Sequence, residues 1–227
     1  MSKYFCFLHG TTCRQDEYTN SVTTLKNSVL QNFEEINCYW GGTFGANLAV
    51  DEEYGLLTDA IRAVTEAASP SIQEFVLRFV ADVMKYQAAS DRILGYLEGI
   101  LQQQLDENSQ LLIIGHSLGA IIAADLVCTA RFPCKVGLVT VGSLIGPLYK
   151  LECLKYFNPQ HSMLCKLWMN IHDGADLLSS DFPVVASLEP KLERRSIDQG
   201  TAFPACHSKY FEHNHFQLEL GQFLERL

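Results

Sequence analysis

The stretch that most constrains this chain runs from Leu111 to Ala130. Four apolar residues, Leu111–Ile114, lead into Gly115-His116-Ser117-Leu118-Gly119, and a run rich in small and apolar residues follows. A continuous apolar run of that length suits a central parallel strand covered on both faces. Leu118–Ala130 reads as a helix rich in small and apolar residues. Strand, sharp turn and helix are therefore expected in that order, with Ser117 on the turn. The glycines have a physical reason. A residue on so sharp a turn takes a strained backbone conformation, so its neighbours must lack bulk. The helix after it aims its N-terminal amides back at the turn, where they stabilise developing negative charge.

The rest of the chain repeats the alternation. Tyr4–Leu8, Ile36–Trp40, Val136–Val141, Lys166–Ile171 and Arg194–Asp198 read as strands. Ser21–Phe33 has apolar residues at 22, 25, 29, 30 and 33, which is helical spacing. Residues 43–69 are the least regular, with a weakly patterned helix expected over 51–68. From Pro70 a stripe of Ile72, Phe75, Val76, Phe79, Val80 and Val83 predicts a helix, and Asp91–Leu105 predicts another. Phe211–Leu227 reads as a closing helix. Strands alternating with helices imply an α/β fold, with a mostly parallel central sheet and helices on both faces. A helical insertion, about 51–105, precedes the Leu111 strand. No internal repeat or low-complexity linker interrupts residues 1–227, so one domain is expected.

Composition narrows the function classes. The chain has 227 residues, 48% apolar and 19% charged, enough for one sizeable core. A formal net charge of −9 repels phosphate backbones, so nucleic acid is a poor partner, and Lys191–Arg195 is the one compact basic cluster. The apolar run Tyr4–Leu8 is too short for a signal peptide, and Leu111–Val127 falls short of a membrane span. Eight cysteines form no Cys-x-x-Cys pair, which with no export signal suggests reduced thiols and a cytoplasmic location.

In a parallel sheet, reactive groups collect at the carboxyl ends of strands. That directs attention to His9-Gly10, Ser117, Gly142-Ser143, Asp173 or Asp176, and the loop holding His207. A serine hydroxyl becomes a useful nucleophile only beside a base, and the base needs a carboxylate to orient it. Seven histidines compete for that role. His207, in a loop after the last expected strand, is preferred over His213 and His215 near the closing helix. His116 sits inside the pentapeptide with its side chain expected to point away from that of Ser117. His161 and His172 come before or beside the expected acid. Asp173 and Asp176 both follow the strand Lys166–Ile171, and Asp173-Gly174 has ordinary turn chemistry.

Gly115–Gly119 resembles the nucleophile elbow of the α/β-hydrolase superfamily, within its lipase and esterase branch. The wider order agrees: an early strand ending in His9-Gly10, the elbow mid-chain, then an acid and a histidine. Asp82-Val83 to Tyr86, and His207-Ser208 to Tyr210, also look like a lipase-like subgroup. The resemblance implies a triad of Ser117, Asp176 and His207, since Asp176 followed by Leu177 and Leu178 is similar to the family's acid placement. It implies an oxyanion hole from the Leu118 backbone N–H and a second N–H in the loop Gly10-Thr11-Thr12, at Thr11. No cofactor and no metal are implied. The expected substrate is a small-molecule or lipid ester, and a cap formed by the helical insertion 51–105 would suit an acyl chain; membrane or lipid-surface contact is left open by the charge and the scattered aromatics.

Three other readings compete. A non-catalytic binding module on the same fold would keep the pocket without the chemistry. A thioesterase or amidase would use the same triad. A metal site sketched from Cys206, His207, His213 and His215 matches no familiar zinc spacing. Gly41-Gly42-x-x-Gly45 lacks the Lys-Ser/Thr ending of a phosphate loop.

Overall fold

The computed structural model describes residues 1–10, 15–44, 70–150, 154–157, 165–183 and 191–227. Thr11 and Thr12, the helix expected over 51–68, Gly45, His161 and the side chains of Ile72, Phe75 and Val76 lie outside the described residues.

The elements run β1 (Ser2–Leu8), α1 (Gln15–Ser28), β2 (Glu34–Glu35), α2 (Gly41–Phe44), α3 (Pro70–Gln102), β3 (Ser109–His116), α4 (Leu118–Thr129), β4 (Lys135–Val141), α5 (Ile145–Lys150), β5 (Cys165–Asp173), β6 (Leu192–Ile197), α6 (Ala205–Ser208), a 3₁₀ turn (Tyr210–Glu212) and α7 (Asn214–Leu224). The six described strands form one sheet in the order β2-β1-β3-β4-β5-β6, and every pairing is parallel. Successive side chains on a strand point to opposite faces. On one face Cys6, Leu8, Leu111, Ile113, Val136 and Leu138 pack with α3 and α4. On the other Phe5, Phe7, Leu112, Ile114, Val139 and Val141 pack with α1, the 3₁₀ turn and α7. Helices on both faces of an all-parallel sheet are consistent with an α/β-hydrolase-type fold. No helix among the described residues is long and apolar enough to cross a membrane.

Register aligns the carboxyl ends of the strands. Leu8 pairs with Gly115, His116 with Val141, Val141 with Ile171, and Asp173 with Ile197. The segments that leave β1, β3, β4 and β5 therefore emerge along one edge of the sheet. These are the segments that carry His9, Ser117, Gly142 and Asp176.

Three expected elements differ. The strand expected at Ile36–Trp40 is instead Glu34–Glu35, two residues long. Ile36, Cys38 and Trp40 are buried in alternation, which is why the segment reads as a strand. Beyond Ile36, whose N–H donates to the Phe5 carbonyl at 2.8 Å, the backbone turns to side-chain partners: the Cys38 N–H donates to the Tyr18 hydroxyl at 3.2 Å. The two helices expected around Pro70 and Asp91 are one helix of 33 residues. Pro70 fits its first position, where the missing N–H has no intrahelical partner, and no glycine or proline separates the two stripes. The closing helix is broken at His213, whose φ of −82° and ψ of 127° are extended.

The helix α4 is buried on all sides: every residue from Leu118 to Val127 is in the interior. A helix that is apolar all round needs cover all round. It has the sheet beneath it and α3 above it. Gly119 makes the close approach possible, since a Cβ there would lie 1.9 Å from the Leu8 carbonyl oxygen.

Candidate active site

Ser117 stands at the junction of β3 and α4 with φ 56° and ψ −123°, the one non-glycine residue with positive φ among those described. Such a conformation costs on the order of 1–3 kcal/mol and persists only where the surroundings over-determine it. Here they do. The Ser117 N–H donates to the Val141 carbonyl at 2.9 Å, and the Ala120 N–H donates to the Ser117 carbonyl at 3.1 Å. Leu118 opens α4, so its N–H has no intrahelical partner. Ser117 is buried, and its Oγ has no hydrogen-bond partner among the described residues.

Gly10 comes close above the serine. A Cβ on Gly10 would lie 2.7 Å from Ser117 Cβ and 3.2 Å from its Oγ, so only glycine lets this backbone approach. His9 sets the orientation of that backbone. Its Nδ1 lies 2.8 Å from the Gly10 carbonyl and its Nε2 accepts the Gly41 N–H at 3.2 Å. A carbonyl can only accept, so the proton is on Nδ1 and the ring is neutral. Burial pushes its pKa down to about 4, partly opposed by the bond to Gly10. The ring stacks on Trp40, with centroids 4.8 Å apart and planes 3° from parallel.

Asp176 and His207 meet on the same edge of the sheet. His207 Nδ1 lies 2.9 Å from Asp176 Oδ2, and both residues are buried. The Tyr210 hydroxyl donates to the same Oδ2 at 2.9 Å, and the Leu178 N–H donates to Oδ1 at 3.0 Å. Burial alone would raise the Asp176 carboxyl. The donors from His207, Leu178 and Tyr210 outweigh it, and its pKa lies below the ordinary 3.8. Asp173 is engaged differently. Its Oδ1 accepts the Ala175 N–H at 2.8 Å and its Oδ2 the Gln199 N–H at 3.0 Å. It braces a turn and the segment leading to His207, and is not bonded to the His207 ring.

The other histidines make different contacts. His213 precedes α7, and its buried Nδ1 has no hydrogen-bond partner among the described residues. His215 Nε2 lies 3.5 Å from Glu219 Oε1 on the surface of α7. His116 Nε2 lies 2.8 Å from the His207 carbonyl oxygen. Among the described residues no three ligand-type side chains gather in a way that could hold a metal ion.

Sequence reasoning assigns no role to Tyr210 or Asp125. Tyr210 is three residues past His207, and the His207-Ser208 to Tyr210 pattern was its one signal. Asp125 reads as a polar interruption in an apolar run. It is buried in α4, and the Tyr86 hydroxyl of α3 donates to its Oδ2 at 2.7 Å. Its Oδ1 has no hydrogen-bond partner among the described residues. A cavity of about 30 Å³, lined by Val83, Tyr86, Leu118, Ile121, Asp125 and Leu148, lies between the two helices. That is room for one or two waters.

Burial raises the Asp125 pKa from 3.8 to about 6, against the opposing bond from Tyr86. The folded state thus holds a proton that the unfolded chain releases earlier. The stability this favours is full below pH 3.8 and is lost as pH rises through about 6. The loss is roughly 3 kcal/mol at about 1.4 kcal/mol per pH unit. Denaturant unfolding at pH 4.5 and pH 7.5 should show about 2 kcal/mol of that loss in the native protein, the rest having occurred below pH 4.5, and a smaller loss in Asp125→Asn. Identical pH dependence in the two proteins would exclude Asp125 as its source.

No protein-family model and no curated protein matches the chain. Among solved structures it is similar to the esterase domain of a Rhodothermus marinus protein, at 16% identity and a TM-score of 0.43, covering 97% of this chain and 83% of that one. It is also similar to an uncharacterized protein from Pseudomonas aeruginosa, at 14% identity and a TM-score of 0.31, covering 76% of this chain and 35% of that one.

Proposed function

We propose that this protein is a serine hydrolase that cleaves carboxylic esters through an acyl-serine intermediate. The observation that carries the reading is the combination on one sheet edge of a strained, buried Ser117 and a buried Asp176–His207 pair. In this reading Asp176 holds the His207 proton on Nδ1, which leaves Nε2 as the base. His207 takes the Ser117 proton as Oγ attacks the ester carbonyl carbon. The negative charge that develops on the carbonyl oxygen is held by the Leu118 N–H and by a second N–H from the loop after β1, at Thr11.

Collapse of the tetrahedral adduct breaks the ester C–O bond, and His207 returns its proton to the departing alcohol. Water then attacks the acyl-serine, again with His207 as base, and releases the carboxylic acid and the free serine. No step needs an external cofactor. The substrate is a small-molecule or lipid ester, met in the cytoplasm.

The test is a panel of p-nitrophenyl esters of increasing acyl length, with matched thioester and anilide substrates. Turnover of esters that disappears in Ser117→Ala supports the reading. Preference for thioester or anilide would move the assignment to a thioesterase or amidase. Binding of ester without turnover would identify a binding module.

A further inference from the structure

We propose that His116 is a positioning residue for His207: its Nε2–H bond to the His207 main-chain carbonyl holds the base in line between Asp176 and Ser117. The inference rests on the serine-hydrolase reading and deepens it by assigning a role to the residue directly before the serine.

The segment that carries His207 needs such an anchor. It leaves β6 at Ile197, and His207 lies in a helix of four residues, Ala205–Ser208. One tie comes from Gln199, whose Nε2 donates to the Cys206 carbonyl at 2.6 Å while its own N–H donates to Asp173. A second is the ring contact with Asp176. One leads back to the last residue of β5 and the other to the loop after it. The bond from His116, 2.8 Å long and spanning 91 residues of sequence, ends on the strand that carries Ser117. It sets the distance between nucleophile and base without involving either reacting side chain. A displacement of about 1 Å in such a pair can lower turnover by on the order of 100-fold.

The chemistry of the bond is unambiguous. A main-chain carbonyl accepts, so the proton is on His116 Nε2. The partly buried ring packs against the His207 ring at 4.8 Å between centroids, and against Tyr210 at 6.0 Å and Phe211 at 5.6 Å. Burial, with the nearby His207, pushes its pKa down to about 3. The donor therefore persists across the working pH range, and the bond acts as a fixed strut.

Two substitutions separate the donor from the bulk. Glutamine places its side-chain NH₂ where His116 Nε2–H lies, whereas leucine fills similar space with no donor. We expect His116→Leu to lower kcat on p-nitrophenyl acetate by about 10- to 100-fold with KM within about twofold, and His116→Gln to recover most of the loss. The pH profile should keep its shape in both. Wild-type kcat in His116→Leu, or equal impairment of the two variants, would overturn the proposal. Should His116→Leu fail to fold, ¹⁵N-histidine NMR of the native protein decides. His116 should show the Nε2–H tautomer unchanged from pH 5 to 9, and an Nδ1–H tautomer or a titration in that range would overturn it. The same experiments include Ser117-dependent fluorophosphonate labelling of the native protein. Its absence would sink the hydrolase reading itself, which a negative result on His116 alone would not.

Discussion

Ser117→Ala is expected to lower ester turnover by on the order of 10⁴- to 10⁶-fold, with KM little changed. The substitution removes the only atom that would bond to the acyl group and leaves the rest of the site in place. In the proposed mechanism, residual hydrolysis above the uncatalysed rate should remain, since backbone stabilisation of the oxyanion would not depend on Oγ. Folding should not suffer. Alanine meets the same backbone strain at φ 56° as serine does, and the Oγ it removes has no hydrogen-bond partner among the described residues. Removing an unsatisfied buried hydroxyl is neutral or stabilising. The expected pattern is therefore lost activity at unchanged or slightly raised Tm. Near-normal turnover in a folded Ser117→Ala protein would contradict the assignment of the nucleophile.

Asp176→Asn should lower kcat by about 10⁴-fold, and Asp173→Asn by less than about 10-fold. The difference follows from what each carboxylate accepts. Asp176 Oδ2 takes donors from both His207 Nδ1 and Tyr210, and Oδ1 takes the Leu178 N–H. An asparagine must turn its NH₂ towards one of these donors. Facing His207, it forces the proton onto Nε2, and the imidazole could not take the Ser117 proton in the proposed mechanism. Asp173 binds two backbone N–H groups and no part of the His207 ring. Its amide variant should lose about 1–3 kcal/mol of stability, as expected when a buried donor is left facing another donor. Steady-state kinetics and denaturant unfolding of the two variants read these outcomes directly. If Asp173→Asn is the inactive one, the acid has been placed wrongly.

Much of the fold was legible because its signals are local. The apolar run Leu111–Ile114, the glycine-flanked turn and the small-residue helix after it define β3, Ser117 and α4 within one continuous stretch. Asp176 and His207 were legible as positions, since each follows an expected strand. Other features depend on partners distant in sequence. Ile36, Cys38 and Trp40 alternate as a strand would, yet a hydroxyl on α1 takes the Cys38 N–H and the ladder ends. The break in the closing helix at His213 has neither glycine nor proline to mark it. The links from Tyr210 to Asp176 and from His116 to His207 span 34 and 91 residues, so no local pattern could have assigned them. Asp125 is a sharper case. Its hydrogen bond with Tyr86 crosses from α4 to α3, and in sequence it is a single acid within an apolar run.

The most direct test of the central claim is covalent. The native protein is treated with a fluorophosphonate, its mass is measured intact, and the adduct is mapped by peptide sequencing. We expect one equivalent of phosphonate, carried on the oxygen of Ser117. A folded protein that takes up no phosphonate, or carries it elsewhere while Ser117 stays unmodified, would contradict the claim.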